Sequence, residues 1–186
     1  MPMTPKRNAH PITDPVIRPL RASDAEACLS LFRDTVHRIN RRDYSQAQLD
    51  AWAPQSIDAA AWEARFSDHI AYVSVLSQSI IGFADMSKTG HLDRLVVSAD
   101  HQRHGIAREL TKRLIEHARE LRCESVTTDA SITAKPFFEA MGFNVVKQQT
   151  VERAGVSLTN FRMRLPLEGP PPRETTTNQQ HDDPAD

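Results

Sequence analysis

The sequence predicts one mixed α/β (α+β) domain, with helices packed on a mostly antiparallel central sheet. Three observations predict it. Apolar residues recur at helical spacing through the first third of the chain and then switch to strand-like runs. The central strand candidates are separated by short turns, as in hairpins. The last two strand candidates also follow one another, so the element order reads β, helices, β-β-β, α, β, α, β-β.

Residues 16–20 form a short strand candidate, closed by Pro19 and the turn after it. Ser23-Asp24-Ala25-Glu26 has capping-box spacing, in which Ser23 would accept free amides and Glu26 would reach back. Cys28, Leu31, Phe32, Thr35, Val36 and Ile39 then follow in three- and four-residue steps, the stripe of an amphipathic helix. Ser45 is placed to cap a second helix carrying Leu49 and Trp52 and stopping before Pro54. Asp58 can cap a third, with Trp62 and Phe66 four apart.

Runs 71–76 and 80–86 are rich in strand formers and are joined by Ser77-Gln78-Ser79, a hairpin signature. Lys88-Thr89-Gly90 is a turn, and 91–97 a further strand. The helical period returns over 106–121, with Leu110, Leu114, Ala118 and Leu121 on one side. A strand over 125–129 and a helix over 134–141 follow, the helix capped by Thr133 and ended by Gly142. Strands 145–151 and 158–165 close the domain.

The ends differ in composition. Four prolines crowd residues 1–14 and their border, and 168–186 read EGPPPRETTTNQQHDDPAD. Such a stretch buries too little apolar surface to offset the entropy of ordering it. The expected organisation is a flexible segment 1–14, a folded domain 15–167 and a disordered tail 168–186. The net charge of −1 excludes a carrier of nucleic acid, which needs a surface field of one sign. Two cysteines, Cys28 and Cys123, are too few and too far apart for a disulfide framework or a zinc knuckle. Cys28 falls on the helix stripe and reads as a small core residue. With no signal-peptide pattern and no 18-residue apolar run, the expectation is a cytoplasmic protein without a membrane partner.

Between the strand ending at Val97 and the helix starting at Ile106 lies Gln102-Arg103-His104-Gly105-Ile106-Ala107. A helix N-terminus presents unpaired amides and a positive dipole end, which together attract anions. Gly105 allows close backbone approach, Ala107 is small, and Arg103, His104 and Arg108 add donors or charge. The same segment would also serve as a plain connection. A P-loop would need Gly-Lys-Ser/Thr, and a dinucleotide fingerprint three glycines, and neither is present.

Gln102-x-x-Gly105-x-Ala107 resembles the Q/R-x-x-G-x-G/A loop of the GNAT superfamily of N-acetyltransferases. Leu92-Asp93-Arg94-Leu95-Val96-Val97 is similar to that family's preceding strand. Ala134-Lys135-Pro136-Phe137-Phe138-Glu139-Ala140-Met141-Gly142-Phe143 is similar to its A-x-x-x-Y-E-x-x-G-F helix end. More narrowly, the run from Asp129 to Glu139, and Tyr44-Ser45 with Gln48, Ala51 and Trp52, resemble the YafP-type bacterial acetyltransferases.

The resemblance implies a GNAT fold and acetyl-CoA as co-substrate, with no metal. Leu95, Val96 and Val97 would pair with the pantetheine arm, and one backbone amide there would polarise the thioester carbonyl. The amides from Arg103 to Arg108, with Ile106 and Ala107 among them, would hold the pyrophosphate, with Gln102 opening the motif. Phe138 stands where relatives carry a proton-donating tyrosine, and Ser131 where they often carry asparagine. Counting back from the loop, His91 and Asp93 match positions where relatives handle protons. Two residues apart on a strand, they share a face, and a carboxylate beside a histidine raises its basicity. Tyr44, in the segment that walls the acceptor site in this fold, is the candidate proton donor to the thiolate, with water as the alternative. The acceptor is an amine of unidentified structure, a small molecule ahead of a protein, and a homodimer stays open as the assembly. Phe138 in place of tyrosine also keeps open a catalytically weak acyl-CoA-binding sensor.

Overall fold

The structure, a computed structural model, describes residues 14–167. The expected flexible segment (except Asp14) and the expected tail 168–186 lie outside the described residues. Seven strands make one sheet in the order β1-β2-β3-β4-β5-β7-β6. They are β1 (Val16–Pro19), β2 (His69–Leu76), β3 (Ser79–Ser87), β4 (His91–Val97), β5 (Ser125–Ser131), β6 (Asn144–Arg153) and β7 (Val156–Pro166). The helices are α1 (Ala25–Ile39), α2 (Gln46–Trp52), α3 (Ala59–Ala64), α4 (Ile106–Glu120) and α5 (Lys135–Ala140). No helix among the described residues is long and apolar enough to cross a membrane.

The foreseen hairpin of β2 and β3 forms through Ser77 and Gln78, both left-handed at φ 47° and 71°, the geometry that matches strand twist. Strand neighbours are antiparallel except β4 and β5, which run parallel. This follows from connectivity, since α4 crosses over between them. Their registered pairing is short, His91 with Thr127 and Leu92 with Thr128, after which the strands part.

Each sheet face carries its own core. On one side α4 and α5 bury Leu110, Leu114, Ala118 and Phe138 against Ala84, Met86, Leu92 and Val126. Gly82 of β3 lets α4 come close, because a Cβ there would meet the Ile106 side chain at 3.0 Å. On the other side α1, α2 and α3 bury Cys28, Phe32, Leu49 and Trp62 against Val73, Phe83, Val96 and Leu158. Trp62 anchors this layer: its ring nitrogen donates to the Ala25 carbonyl at 3.0 Å and its ring meets Phe32, Phe66 and Phe83.

Ser45 caps α2 and Asp58 caps α3, as their spacing predicts. Three local expectations are corrected. Ser23 does not cap α1. Asp24 accepts from the Arg21 amide at 2.8 Å instead, drawn inward by the Arg18 guanidinium at 2.6 and 2.9 Å, and a 3-10 turn (Ala22–Asp24) precedes the helix. Thr133 does not cap α5, because its hydroxyl donates to Asp43 at 2.6 Å, while Ser131 Oγ accepts from the Ala134 amide at 3.1 Å. Leu121 lies beyond the helix end and is 43% exposed, so the apolar stripe stops at Ala118.

Candidate functional site

The divergence of β4 from β5 opens a cleft whose walls are strand backbone. On the β4 side the pairing with β3 shifts between Asp85 and Met86, which leaves Asp93 as the bulged residue. The bulge lies one residue past Leu92, where the strands separate. Beyond it, Arg94 and Val96 face the α1–α3 layer, while Leu95 and Val97 pack toward α4. The side chains of Val96 and Val97 are buried, so what they offer the cleft is backbone.

At the end of β4 the chain turns through a 3-10 segment (Ala99–His101) capped by Ser98 Oγ, which accepts from the Asp100 amide at 3.3 Å. The Gln102 side chain folds back, donating to the carbonyls of Val97 at 2.7 Å and Ser98 at 3.1 Å. Arg103 and Gly105 adopt left-handed φ of 66° and 80°. Alternation of hand aims successive amides toward a common side, which makes an anion nest. Among the described residues, no amide from Gln102 to Arg108 has a protein acceptor. Pairing resumes with Glu109, whose amide donates to Gly105 O at 3.0 Å. Nothing lies within 4 Å of where a Gly105 side chain would begin. The side chains of Arg103, His104 and Arg108 are exposed around the mouth, and His104 Nδ1 is 2.8 Å from Gln102 O. Ile106 turns its side chain into the core and gives the loop only its amide, whereas Ala107 is half-buried.

Helix α1 fastens this loop from outside. Arg38 donates to both carboxylate oxygens of Asp100, at 3.0 and 2.5 Å, and Thr35 Oγ1 donates to Val97 O at 3.3 Å. Across the cleft, Ser131 is occupied with the start of α5 and Asp129 is paired with Arg162 and Gln149. Phe138 is 2% exposed in the α4–α5 core, edge-on to Phe137 and Phe143 at 5.2 and 5.1 Å. Tyr44 is 6% exposed. Its hydroxyl donates to Thr159 O at 2.6 Å and accepts from the Ile132 amide at 2.9 Å, and burial raises its pKa.

His91 and Asp93 both lie at the closed end of the cleft, but their recorded partners differ. His91 Nδ1 is 3.0 Å from Thr127 Oγ1 on β5. Asp93 lies 3.6 Å from Arg94 Nε. There it meets two residues that sequence reasoning missed. Asp85, with no exposed surface, takes Arg94 Nε at 2.7 Å and NH2 at 2.6 Å. His69 Nδ1 is 2.5 Å from Asp85 Oδ2. The hydrogen bond to Asp85, helped by the charges of Asp85 and Asp93, raises the His69 pKa above its ordinary value against the opposing effect of burial. Arg94 lies over the rings of Phe66 and Trp62 at 4.4 and 4.9 Å. The legible signal was Asp85 itself, a carboxylate inside the apolar run of β3.

One donor atom each from His69, Asp85 and Asp93 falls within 4.8 Å of the others. The set does not fit a metal ion, because the Arg94 guanidinium already holds both oxygens of Asp85 and a second cation would oppose a fixed positive charge.

Comparison with known proteins bears on the fold and the family. The uncharacterized N-acetyltransferase YafP of Escherichia coli is 38% identical over 149 residues, spanning 80% of this chain and 93% of that protein. A GCN5-related N-acetyltransferase from Rhodopseudomonas palustris superposes with a TM-score of 0.80 at 28% identity, covering 86% of this chain and all of that one. YncA of Salmonella typhimurium, solved with acetyl-CoA, shares the fold at a TM-score of 0.65 and 19% identity, over 84% of this chain and 95% of its own. The family model for the acetyltransferase (GNAT) domain matches residues 40–165, and the chain belongs to that family.

Proposed function

We propose that the protein transfers the acetyl group of acetyl-CoA to a primary amine bound on the α1–α3 side of the β4–β5 cleft. The observation that carries this is the unbroken run of unpaired amides from Gln102 to Arg108, placed at the open end of a cleft walled by strand backbone. A pyrophosphate is the ligand such a nest suits: several donors on one side, a helix dipole behind them and no side chain in the way. YncA, of the same fold, holds acetyl-CoA, which supports the assignment.

In this reading the backbone of Leu95, Val96 and Val97 lies along the pantetheine arm, facing Ser131 across the cleft. Holding amine and thioester together removes much of the entropic barrier to their reaction. The amine enters as an ammonium and must lose a proton before its lone pair attacks the thioester carbon. The C–S bond then breaks, the thiolate leaves, and one further proton from nitrogen reaches sulfur directly or through water. A backbone amide near the bulge would stabilise the charge on oxygen during the attack. His91 and Asp93, at the closed end of the cleft, are the proposed proton handlers. Tyr44 is less suited to donate to the thiolate, since its proton is held by Thr159 O, and water takes that role.

The test is acceptor-dependent release of free thiol from acetyl-CoA, run over amines and peptides between roughly pH 6 and 9, the range where histidine and amine groups titrate. Thiol release with at least one amine is expected, with the rate falling on the acid side as a histidine protonates. Tight acetyl-CoA binding without release for any acceptor would favour a sensor, and absence of binding would refute the nest.

A further inference from the structure

The α1–α3 face of the sheet holds a charged cluster that nothing in the cofactor cleft requires: Asp85, Arg94 and His69, with Asp93 at its edge. Burying Asp85 and Arg94 carries a desolvation cost that an apolar pair of similar volume would avoid. Arg94 even leaves one nitrogen, NH1, buried without a partner. The cluster is therefore a poor device for stability, and its place suggests another use. Asp93 is its outermost member and is the bulged residue where β4 leaves β5.

We infer that the proton given up by the acceptor ammonium passes from the cleft through Asp93 to His69, which Asp85 holds with Nε2 free to receive it. This rests on the acetyl-transfer reading and deepens it. Asp85 fixes the tautomer: its carboxylate accepts only, so Nδ1 carries the hydrogen and Nε2 the lone pair. Arg94 neutralises Asp85, so the unit can exist with His69 either neutral or charged without a second unpaired buried charge. His69 is 22% exposed and Asp93 36% exposed, which lets the proton continue to solvent. The balance is simple. The N–H bond of the ammonium breaks, and Asp93 is the intermediate holder. A water spans the gap of up to 4.8 Å between its carboxylate and the His69 ring, an N–H bond forms at His69 Nε2, and the neutral amine is left to attack. Because a carboxylate is the weaker base, the proton comes to rest on the imidazole. The charged groups around His69 are Asp85 on β3 and Asp93 and Arg94 on β4, while α3 contributes the apolar rings of Trp62 and Phe66 behind Arg94. His69 acts through Asp93 and is a positioning residue. His91, bonded to Thr127, is the other proton handler open to the ammonium, and the pH profiles of the two histidine variants separate the routes.

His69→Gln tests it, since the glutamine amide can still donate to Asp85 and keep the fold. With the best amine of the panel, kcat is expected to fall by roughly tenfold or more, with KM for acetyl-CoA unchanged. The acid-side limb of the wild-type pH profile should vanish in His69→Gln and persist in His91→Gln. Wild-type kcat and an intact limb in His69→Gln would overturn the relay while leaving acetyl transfer standing. Failure of the wild type to release thiol with any amine would overturn both. A second measurement does not depend on turnover: the His69 ring, titrated by NMR in the free protein, should show a lower midpoint in Asp93→Asn. An unchanged midpoint would separate Asp93 from His69 and overturn the route.

Discussion

Tyr44 shows how a single side chain can serve two segments that are remote in sequence. Its hydroxyl ties α2's approach to both Ile132, just past β5, and Thr159 on β7, from a position 6% exposed. The ring lies edge-on to Trp52 at 5.5 Å, so the phenol is held from both sides. Tyr44→Phe leaves one amide and one carbonyl without a partner, which costs about 1–3 kcal/mol for each group that stays dry. Urea denaturation should show that loss, with kcat unchanged at the permissive temperature. A kcat that collapses with stability intact would instead return Tyr44 to the role of proton donor that the sequence suggested. Phe138 belongs to the same scale. Its motif position was legible, but its side chain is core, packed on Phe137 and Phe143.

Among the elements, the loop before α4 depends on a helix that follows it nowhere in sequence. Gln102 closes the turn onto β4, and left-handed Arg103 and Gly105 aim the amides, but α1 holds the whole segment through Arg38 and Asp100, 62 residues apart. Both partners of that pair are exposed, so it adds little to global stability. Its effect is local order. Arg38→Ala is expected to raise KM for acetyl-CoA several-fold, more at low salt than at high, with the melting temperature unchanged. A lower melting temperature with the same KM would assign the pair to the fold rather than the loop. The motif spacing from Gln102 to Ala107 could be read directly from the sequence, whereas the clamp could not, because an Arg–Asp contact between exposed residues has no periodic signature.

For the whole molecule, two ion-paired groups on the α1–α3 side set opposite limits on pH stability. Hydrogen bonding to Arg18 lowers the pKa of Asp24, so its contribution is complete above the ordinary 3.8 and is lost as pH falls through the lowered value. Hydrogen bonding to Asp85 raises that of His69, so its contribution is complete below the ordinary 6.5 and is lost as pH rises through the raised value. The urea midpoint should therefore be highest between about 3.8 and 6.5 and decline on both sides. His69→Gln should flatten the alkaline decline and leave the acid one. A midpoint still rising past neutral pH would show that the His69–Asp85 pair does not govern global stability.

The sequence by itself determined what repeats or is local. The helical stripe of Cys28, Phe32 and Val36, the Ser45 and Asp58 caps, the Ser77-Gln78 turn and the glycine-bearing loop before α4 all follow from spacing and short-range chemistry. Where two local signals competed, it misled: Asp24 displaced Ser23 because Arg18 was within reach, and Asp43 drew Thr133 away from the helix it would have capped. Only the tertiary structure decided that β4 and β5 separate after Leu92, since strand divergence depends on pairing between segments some thirty residues apart. It also decided Asp93's company. Counting along β4 sets Asp93 two residues from His91, but it could not show that the bulge and the neighbouring strands also bring Asp93 near His69 and Asp85, because a charge in a sheet is paired across strands as well as along one.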